Sequence, residues 1–371
     1  MTRTALDPLL RGCRVLVGGG VAGLVAVVLV SGAAAVTAGP RDAVYSTPSR
    51  VTALAADGRR VAVVTSRTKR ACGRIVVWTP PSRRATSFKP GYLGCSGDGV
   101  SDVALGGGQV AWIEQGGGND LELTVMVARL GGGAVRQVDY VVNGDRAGGD
   151  PSGGWVGQLL GAGPLLAYNR WTVVCDLPSG SLCGDGQSQD SHLANQQLVR
   201  IVARRTITVA SGASSYRLSA VGGGRMAVEA GGVVTVLAPS GERVATVPAV
   251  EGDAPRSIRI DTTSLAVRRT STLDLYDAQS GTARTSLRLR SDDAGLQVAG
   301  VSSKLALLRG RHRLVLVRLQ DGAERSLPLR SKGIVGAELT AAGVFYAYNV
   351  PRAARAGRVV FVPTAKLLAR F

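Results

Sequence analysis

Short apolar runs joined by glycine-rich turns recur along the chain and indicate a repeat protein. From Val51, the stretch VTALAADGRRVAVV places two apolar runs around Asp57-Gly58. The stretches SDVALGGGQVAWIE from Ser101 and YRLSAVGGGRMAVE from Tyr216 have the same form. Glycine and aspartate tolerate the positive φ angles of tight hairpin turns, and apolar runs of this length are typical of buried strands. The chain is therefore predicted to be built from β-hairpins.

The second apolar run of each pair occurs seven times, which predicts a β-propeller. Successive runs are separated by 49, 55, 61, 39, 40 and 39 residues; they begin at Val61, Val110, Leu165, Met226, Leu265, Leu305 and Val344. A period near 40 with insertions is typical of four-stranded propeller blades. We predict an all-β propeller of seven blades over residues 51–371, with six blades as the alternative. AKLLARF from Ala365 is predicted to be the last strand, while Val44 to Thr47 either adds to a blade or serves as a link.

Two segments carry a resemblance to known propeller families. LDLYDAQSGTARTSL from Leu273 resembles the third strand, turn and fourth strand of WD-repeat and quinoprotein-like blades. QVAWIE from Gln109 resembles the second strand of bacterial TolB-like propellers. The resemblance implies the propeller fold. The chain lacks the Trp-Asp motifs of WD repeats, the repeats that stack on a quinone and the sialidase-type boxes. The resemblance therefore implies no cofactor and no catalytic activity.

The N-terminus carries an export signal. Arg3, Arg11 and Arg14 precede the uncharged run Val15–Ala38, which ends in small residues before Gly39. This pattern predicts a cleaved signal peptide, but 24 residues also suffice for an uncleaved membrane anchor. Residues 1–38 are therefore predicted to be a signal peptide or signal anchor, and 39–50 a linker. The propeller is expected to be secreted or to lie at the extracytoplasmic face of the cell envelope.

Four cysteines follow the export signal and predict two disulfides. An even number of cysteines in an exported chain favours pairing. Cys72 and Cys95 lie in connections predicted to share one face, and Cys175 and Cys183 lie within a single insertion of the third repeat. The predicted bridges are Cys72–Cys95 and Cys175–Cys183.

The number of residues from the start of the second strand to the third strand differs from repeat to repeat. This difference predicts which end of the ring binds a partner. The number is 7, 8 and 9 in repeats four to six, but 14, 13, 33 and 15 in repeats one, two, three and seven. In a closed ring these four repeats are neighbours, so their long loops cluster at one end. That end is the predicted binding face, with unselected loop drift as the alternative. The candidate residues there are Arg67, Lys69, Arg70, Arg74, Arg352, Arg355 and Arg358 on a basic half, with Glu114, Asp120, Asp176, Asp185 and His192 on an acidic half.

The net charge limits the classes of partner that the sequence predicts. Lys and Arg total 44 against 26 acids, a net charge of +18. Such a surface attracts polyanions at low salt. No recognition helix, RNA-binding aromatic pair or zinc spacing accompanies the basic residues, so specific nucleic-acid binding is not expected. The expected partner of this monomer is an envelope protein or an anionic polymer, with membrane contact only through an uncleaved N-terminal segment.

The sequence favours binding over catalysis. Asp102 is predicted to begin an inner strand, whereas Asp261 and Glu338 are predicted at the far ends of theirs, so no close carboxylate pair is expected. We predict a non-enzymatic binding or scaffold propeller without cofactor or bound metal. The alternatives are a secreted glycan-active propeller, whose acids would lie on the long loops of blades 2 and 3, and a membrane-anchored sensor.

Overall fold

The computed structural model describes residues 42–371 except for 69–70, 97–98, 118–119, 146–151, 177–190, 213–215, 291–294, 330–332 and 352–355. The predicted export signal therefore lies outside the described residues. Within the described part of the chain, neither helix has the length and apolar character needed to cross a membrane.

The described chain forms seven blades of four antiparallel strands, which confirms the predicted propeller. In each blade the inner strand leads through a tight turn to the buried second strand, as the apolar runs predict. The strands of blades 1 to 3 are β2 (Val51–Asp57), β3 (Arg60–Thr65), β4 (Arg74–Trp78), β5 (Ala85–Phe88), β6 (Gly99–Gly106), β7 (Gln109–Gly116), β8 (Asp120–Arg129), β9 (Arg136–Asp145), β10 (Gly153–Ala162), β11 (Leu165–Cys175), β12 (Ser191–Val202) and β13 (Arg205–Gly212).

The remaining blades are shorter and more regular. Blades 4 to 6 comprise β14 (Arg217–Gly222), β15 (Arg225–Ala230), β16 (Val233–Leu237), β17 (Arg243–Val247), β18 (Ser257–Ile260), β19 (Ser264–Arg268), β20 (Thr272–Asp277), β21 (Ala283–Arg288), β22 (Gln297–Val301), β23 (Leu305–Arg309), β24 (Leu314–Arg318) and β25 (Glu324–Leu327). Blade 7 comprises β26 (Ile334–Thr340), β27 (Gly343–Asn349), β28 (Gly357–Pro363) and the N-terminal strand β1 (Ala43–Ser46).

The ring is closed by the N-terminal strand, which confirms one of the two alternatives predicted for Val44 to Thr47 and corrects the strand predicted at the C-terminus. β1 lies within the predicted linker 39–50 and pairs antiparallel with β28, from Ala43 opposite Phe361 to Ser46 opposite Arg358. The predicted last strand from Ala365 is instead helix α2 (Thr364–Leu368). β1 occupies the edge of β28 that a C-terminal strand would need, and the buried side chain of Leu367 anchors the helix in the apolar cluster between blades 6 and 7.

Blades 2 and 3 join into one eight-stranded sheet. The outer strand β9 and the inner strand β10 pair at Asn143 and Gly153. Gly153 has φ +122°, and a Cβ there would lie 2.8 Å from the Cα of Asn143. Only glycine combines that backbone conformation with so close an approach. The two blades therefore form a continuous wall.

The core consists of apolar side chains packed between neighbouring blades. The second strands lie inside their sheets with both faces covered, so Val61 to Val64 and Val110 to Ile113 are buried almost completely. Gly106 at the end of β6 and Gly222 at the end of β14 make this packing possible. A Cβ at either position would lie 1.9 Å from a carbonyl oxygen of the next blade. These glycines thus permit blade contact as well as the hairpin turn.

The ring has two distinct ends. The hairpin face carries the turns between first and second strands, such as Gly58-Arg59 and Gly107-Gly108. The long-loop face carries the connections between second and third strands and those between blades, such as 66–73 and 89–98. In blade 2 the long spacing is strand rather than loop, because β7 runs to Gly116 and β8 begins at Asp120. The insertions therefore extend the sheet as well as the loops.

Candidate functional site

A disulfide joins two connections on the long-loop face. Cys72 lies between β3 and β4, and Cys95 lies in the short helix α1 (Tyr92–Ser96) between blades 1 and 2. The two are bonded, with their Cα atoms 5.0 Å apart. The predicted Cys72–Cys95 bridge is therefore present. Cys175 ends β11, and its predicted partner Cys183 lies outside the described residues.

Glu114 is buried beneath helix α1 and holds it in place. It is not the surface residue that the sequence predicted. This side chain in β7 is 1% exposed. Its carboxylate accepts hydrogen bonds from the Gly91 N–H at 2.6 Å, the Gly94 N–H at 3.0 Å and the Trp112 Nε1–H at 2.8 Å. Glu114 is therefore not part of an exposed acidic half. It instead fixes the backbone of the helix that carries Cys95.

Tyr92 lies on the helix that Glu114 holds in place, and its side chain is exposed. It opens α1 and is 81% exposed, the highest value among the exposed large apolar side chains. Its neighbours Gly91 and Gly94 cannot carry a Cβ, which would lie 2.9 Å from a Glu114 oxygen and 2.6 Å from the Pro90 Cβ respectively. Sequence reasoning missed Tyr92, although an aromatic residue between two glycines beside a bridged cysteine is a usable signal.

A pocket of about 420 Å³ lies where blades 7 and 1 meet on the same face. The exposed side chains of Arg50 and Arg67 lie on its wall. Asn349 joins the two blades, since its Oδ1 accepts from the Val51 N–H at 2.8 Å and its Nδ2 donates to the Val51 carbonyl at 2.9 Å. The Ser49 Oγ also donates to the Ser66 carbonyl at 2.8 Å. The pocket wall is thus tied across the closure of the ring.

The other predicted basic residues are placed in part. Arg74 is exposed at the start of β4, and Arg358 is half-buried in β28, where its Nη1 donates to the Gly357 carbonyl at 3.0 Å. Lys69, Arg70, Arg352 and Arg355 lie outside the described residues. The structure therefore brings Arg67 to a pocket together with Arg50, which sequence reasoning did not single out.

The predicted acidic half is smaller than expected. Asp120 is exposed at the start of β8. Asp176 follows β11, and its two carboxylate oxygens each lie 2.9 Å from the Nδ1 of His192 in β12. Asp185 lies outside the described residues. With Glu114 buried, the described acidic candidates are Asp120 and the Asp176–His192 pair.

Three ionisable side chains lie in the central channel. Glu338 and Arg259 line a cavity of about 600 Å³ that opens at the hairpin face. Asp102 lies deeper, where its carboxylate accepts from the N–H groups of Val103 at 2.8 Å and Leu159 at 3.0 Å. Burial raises the pKa of Asp102 to about 6 and that of Glu338 to about 7.

The channel corrects the expectation that Asp102 is remote from Glu338. Asp102 is the fourth residue of β6 rather than its first. Its negative charge also contributes to the raised pKa of Glu338, after burial as the main cause. The two carboxylates therefore share one electrostatic environment inside the ring, although Asp102 lies deeper than Glu338.

Comparison with known proteins establishes the fold alone. A puromycin hydrolase structure matches with a TM-score of 0.51 and 14% identity, over 86% of this chain and 53% of that chain. The β-propeller domain of Cps50 (Swd1) from Myceliophteria thermophila matches with a TM-score of 0.50 and 10% identity, over 87% of this chain and 100% of that chain. The Neurospora crassa Pan2 WD40 domain has a TM-score of 0.49 and 9% identity, covering 85% and 90%.

The class of protein follows from the sheet topology and from the match to the Cps50 (Swd1) propeller domain. The chain is a β-propeller similar in fold to a solved propeller domain, which confirms the predicted resemblance at the level of the fold. No protein-family model matches the sequence. No curated protein matches it either.

Proposed function

We propose that this propeller is an exported, non-enzymatic binding module that serves as a scaffold for an envelope protein. Its binding face is the long-loop face of blades 7, 1, 2 and 3. The observation that carries the proposal is Tyr92, displayed on a helix that the Cys72–Cys95 bridge and the Glu114 carboxylate hold in place.

Rigid display of an aromatic side chain suits protein recognition. Binding energy concentrates in a few anchors, among which Tyr, Trp and Arg are enriched. An anchor held in its bound conformation loses little entropy on association. The disulfide and the three hydrogen bonds to Glu114 supply that restraint. Arg50 and Arg67 on the neighbouring pocket add charge for an acidic partner surface.

The glycan-active alternative finds less support among the described residues. It needs two acids that flank a cleft in blades 2 and 3. Both oxygens of Glu114 are engaged beneath α1, and Asp176 is paired with His192. The sensor alternative depends on residues 15–38. Mass-spectrometric mapping of the mature N-terminus separates it from a released scaffold, because a sensor retains that segment.

Crosslinking capture in the native host tests the binding face. The wild-type chain is compared with a Tyr92→Ser, Arg67→Ala variant. The control is Arg59→Ala, Arg83→Ala, which removes two exposed arginines from the hairpin face of blade 1. We expect one protein partner captured by the wild type and by the control, and a loss of at least ten-fold in the Tyr92 variant.

Two results would count against the proposal. Equal capture by all three chains would exclude the long-loop face as the binding surface. Absence of any captured protein would exclude a scaffold role. Circular dichroism and melting temperature of the Tyr92 variant should match the wild type, because both replaced side chains are exposed.

A further inference from the structure

The central channel contains a polar site that the proposed scaffold function does not use. Its cavity of about 600 Å³ is lined by all seven inner strands near the hairpin face. Cavities of roughly 300–1,000 Å³ are the usual size for small-molecule sites. The cavity lies at the opposite end of the ring from Tyr92 and Arg67, so its role is argued separately.

Two charged side chains lie at the same depth in the channel. The residues of the other blades at that depth are small or apolar. Arg259 lies one residue before the end of the first strand of blade 5, and Glu338 lies two residues before the end of the first strand of blade 7. The equivalent residues of the other blades are apolar; they are Ala55, Ala104, Leu160, Ala220 and Gly300. Gly300 of blade 6 lies between the two charges and leaves open space between them. Two opposite charges therefore project into the cavity at this depth, where the other residues are apolar, while Asp57 and Asp261 line its rim at the hairpin face.

Each charged side chain has a hydrogen bond with the backbone but no ion pair. Glu338 accepts from the Ala56 N–H at 2.7 Å, and Arg259 donates through Nη1 to the Ile258 carbonyl at 2.8 Å. Among the described residues, no ion pair within 4 Å involves either side chain. Burial lowers the pKa of Arg259 and raises that of Glu338 to about 7; the attraction between the two charges, with a further contribution from Arg309 at Glu338, offsets the effect of burial only in part. An enclosed charge whose burial is not fully offset is costly, which favours a ligand that supplies both counter-charges.

We propose that the channel binds a small zwitterion of the amino-acid or short-peptide class, its carboxylate on Arg259 and its ammonium group on Glu338. The guanidinium of Arg259 has donors left for a carboxylate, the anion that its planar fork fits best. The Asp102 carboxylate lies deeper and adds negative potential on the ammonium side. Leu160 and Ala220 on the wall provide apolar contact for a peptide side chain.

Three matched probes test the proposal on the wild-type protein by isothermal titration calorimetry at pH 7, below the ordinary pKa of an α-amino group, about 7.7–8.0. Leucyl-leucine carries both charges, N-acetyl-leucyl-leucine lacks the ammonium group, and leucyl-leucinamide lacks the carboxylate. We expect leucyl-leucine to bind at least ten-fold more tightly than either blocked probe. Equal affinity for the three probes, or no heat from any of them at millimolar concentration, would overturn the proposal and leave a channel that holds water.

Two variants assign each charge to its residue. In Arg259→Gln the preference for leucyl-leucine over its amide should disappear, while the preference over the acetylated probe remains. In Glu338→Gln the pattern should reverse, and the amide oxygen can still accept from the Ala56 N–H. Arg59→Gln on an exposed turn of the same face is the control and should leave all three affinities unchanged. Loss of the same preference in both variants would refute the assigned orientation. The capture experiment with Tyr92 is independent of each result.

Discussion

Glu114 illustrates how a single carboxylate can organise a surface from below. Its oxygens satisfy two backbone N–H groups of the loop around α1 and the indole of Trp112. A carboxylate in this position holds the helix in place. Because it is buried, it does not contribute to the charge of the protein surface. The residue thus acts on binding through Tyr92, without itself reaching the surface.

Glu114→Ala should destabilise the protein strongly. Three buried donors lose their acceptor, and each unsatisfied donor costs about 1–3 kcal/mol. We expect the free energy of unfolding to fall by about 2–4 kcal/mol in urea denaturation, since such losses are not additive. The matched control is Glu122→Ala, whose carboxylate accepts from the exposed Tyr140 hydroxyl. Its loss should stay below about 1 kcal/mol. Equal losses in the two variants would show that the contacts beneath α1 do not stabilise the fold.

Glu338 should make stability depend on pH. Its pKa is about 7 in the folded chain against 4.5 as the ordinary value, so the folded state binds more protons between these limits. Its contribution is complete below about pH 4.5 and is lost as the pH rises through about 7. We expect the difference in unfolding free energy between wild type and Glu338→Gln to shift by at most about 3 kcal/mol against the wild type over this interval. The side chain is only half-buried, and this partial exposure reduces the shift. A pH-independent difference in urea denaturation would contradict the raised pKa.

At the scale of elements, closure of the ring depends on one short strand. β1 covers the outer edge of β28, and the Thr47 N–H donates to the Gly357 carbonyl at 3.1 Å. The first and last blades are held together by Asn349 and by the Thr340 hydroxyl, which donates to the Gly58 carbonyl at 2.7 Å. The seam is therefore joined near both faces as well as by β1.

Removal of β1 should weaken the ring and expose an edge. A chain that begins at Pro48 lacks β1, whereas a chain that begins at Pro40 keeps it. We expect the shorter chain to melt at a lower temperature and to associate, because the unpaired β28 edge is a template for strand pairing. Differential scanning calorimetry and size-exclusion chromatography compare the two chains. Matching melting temperatures and elution volumes would show that closure does not require β1.

The insertions of blades 2 and 3 are also an element-scale feature. Their strands β8 to β12 contain ten to twelve residues each, against four to six in the strands of blades 4 to 6. Residue spacing along the sequence measures the insertion but does not distinguish loop from strand. The continuation of pairing depends on partners in the neighbouring strand, which only the folded sheet provides.

At the scale of the whole molecule, the net charge of +18 acts on every anionic surface it meets. Two sources of attraction are therefore to be separated, namely general basicity and the arginines of the long-loop face. General attraction between exposed charges is screened beyond about 8 Å at physiological ionic strength. A contact between matched surfaces is less sensitive to salt.

We expect the protein to bind polyanions without specificity and to bind them weakly at high salt concentration. We expect retention of the propeller on heparin at low salt, with elution below about 0.5 M sodium chloride because screening removes long-range attraction. The Tyr92→Ser, Arg67→Ala variant and the opposite-face control Arg59→Ala each remove one positive charge and should elute at the same salt concentration. An earlier elution of the first variant alone would show that the long-loop face is a dedicated polyanion site.

The repeat pattern by itself determined the all-β class, the seven blades and the two faces, because hairpin spacing and glycine-rich turns are local properties of the chain. The Cys72–Cys95 bridge also followed, since both cysteines fall in connections that the repeat assigns to one end. What only the tertiary structure decided depends on contacts between distant segments: β1 against β28, Glu114 beneath Gly94, and Arg259 with Glu338 across one cavity. Burial and partnership of a charged side chain are set by the neighbours that folding brings to it. For that reason the spacing of the strands placed Glu114 in a surface loop, and the sequence did not identify the channel site.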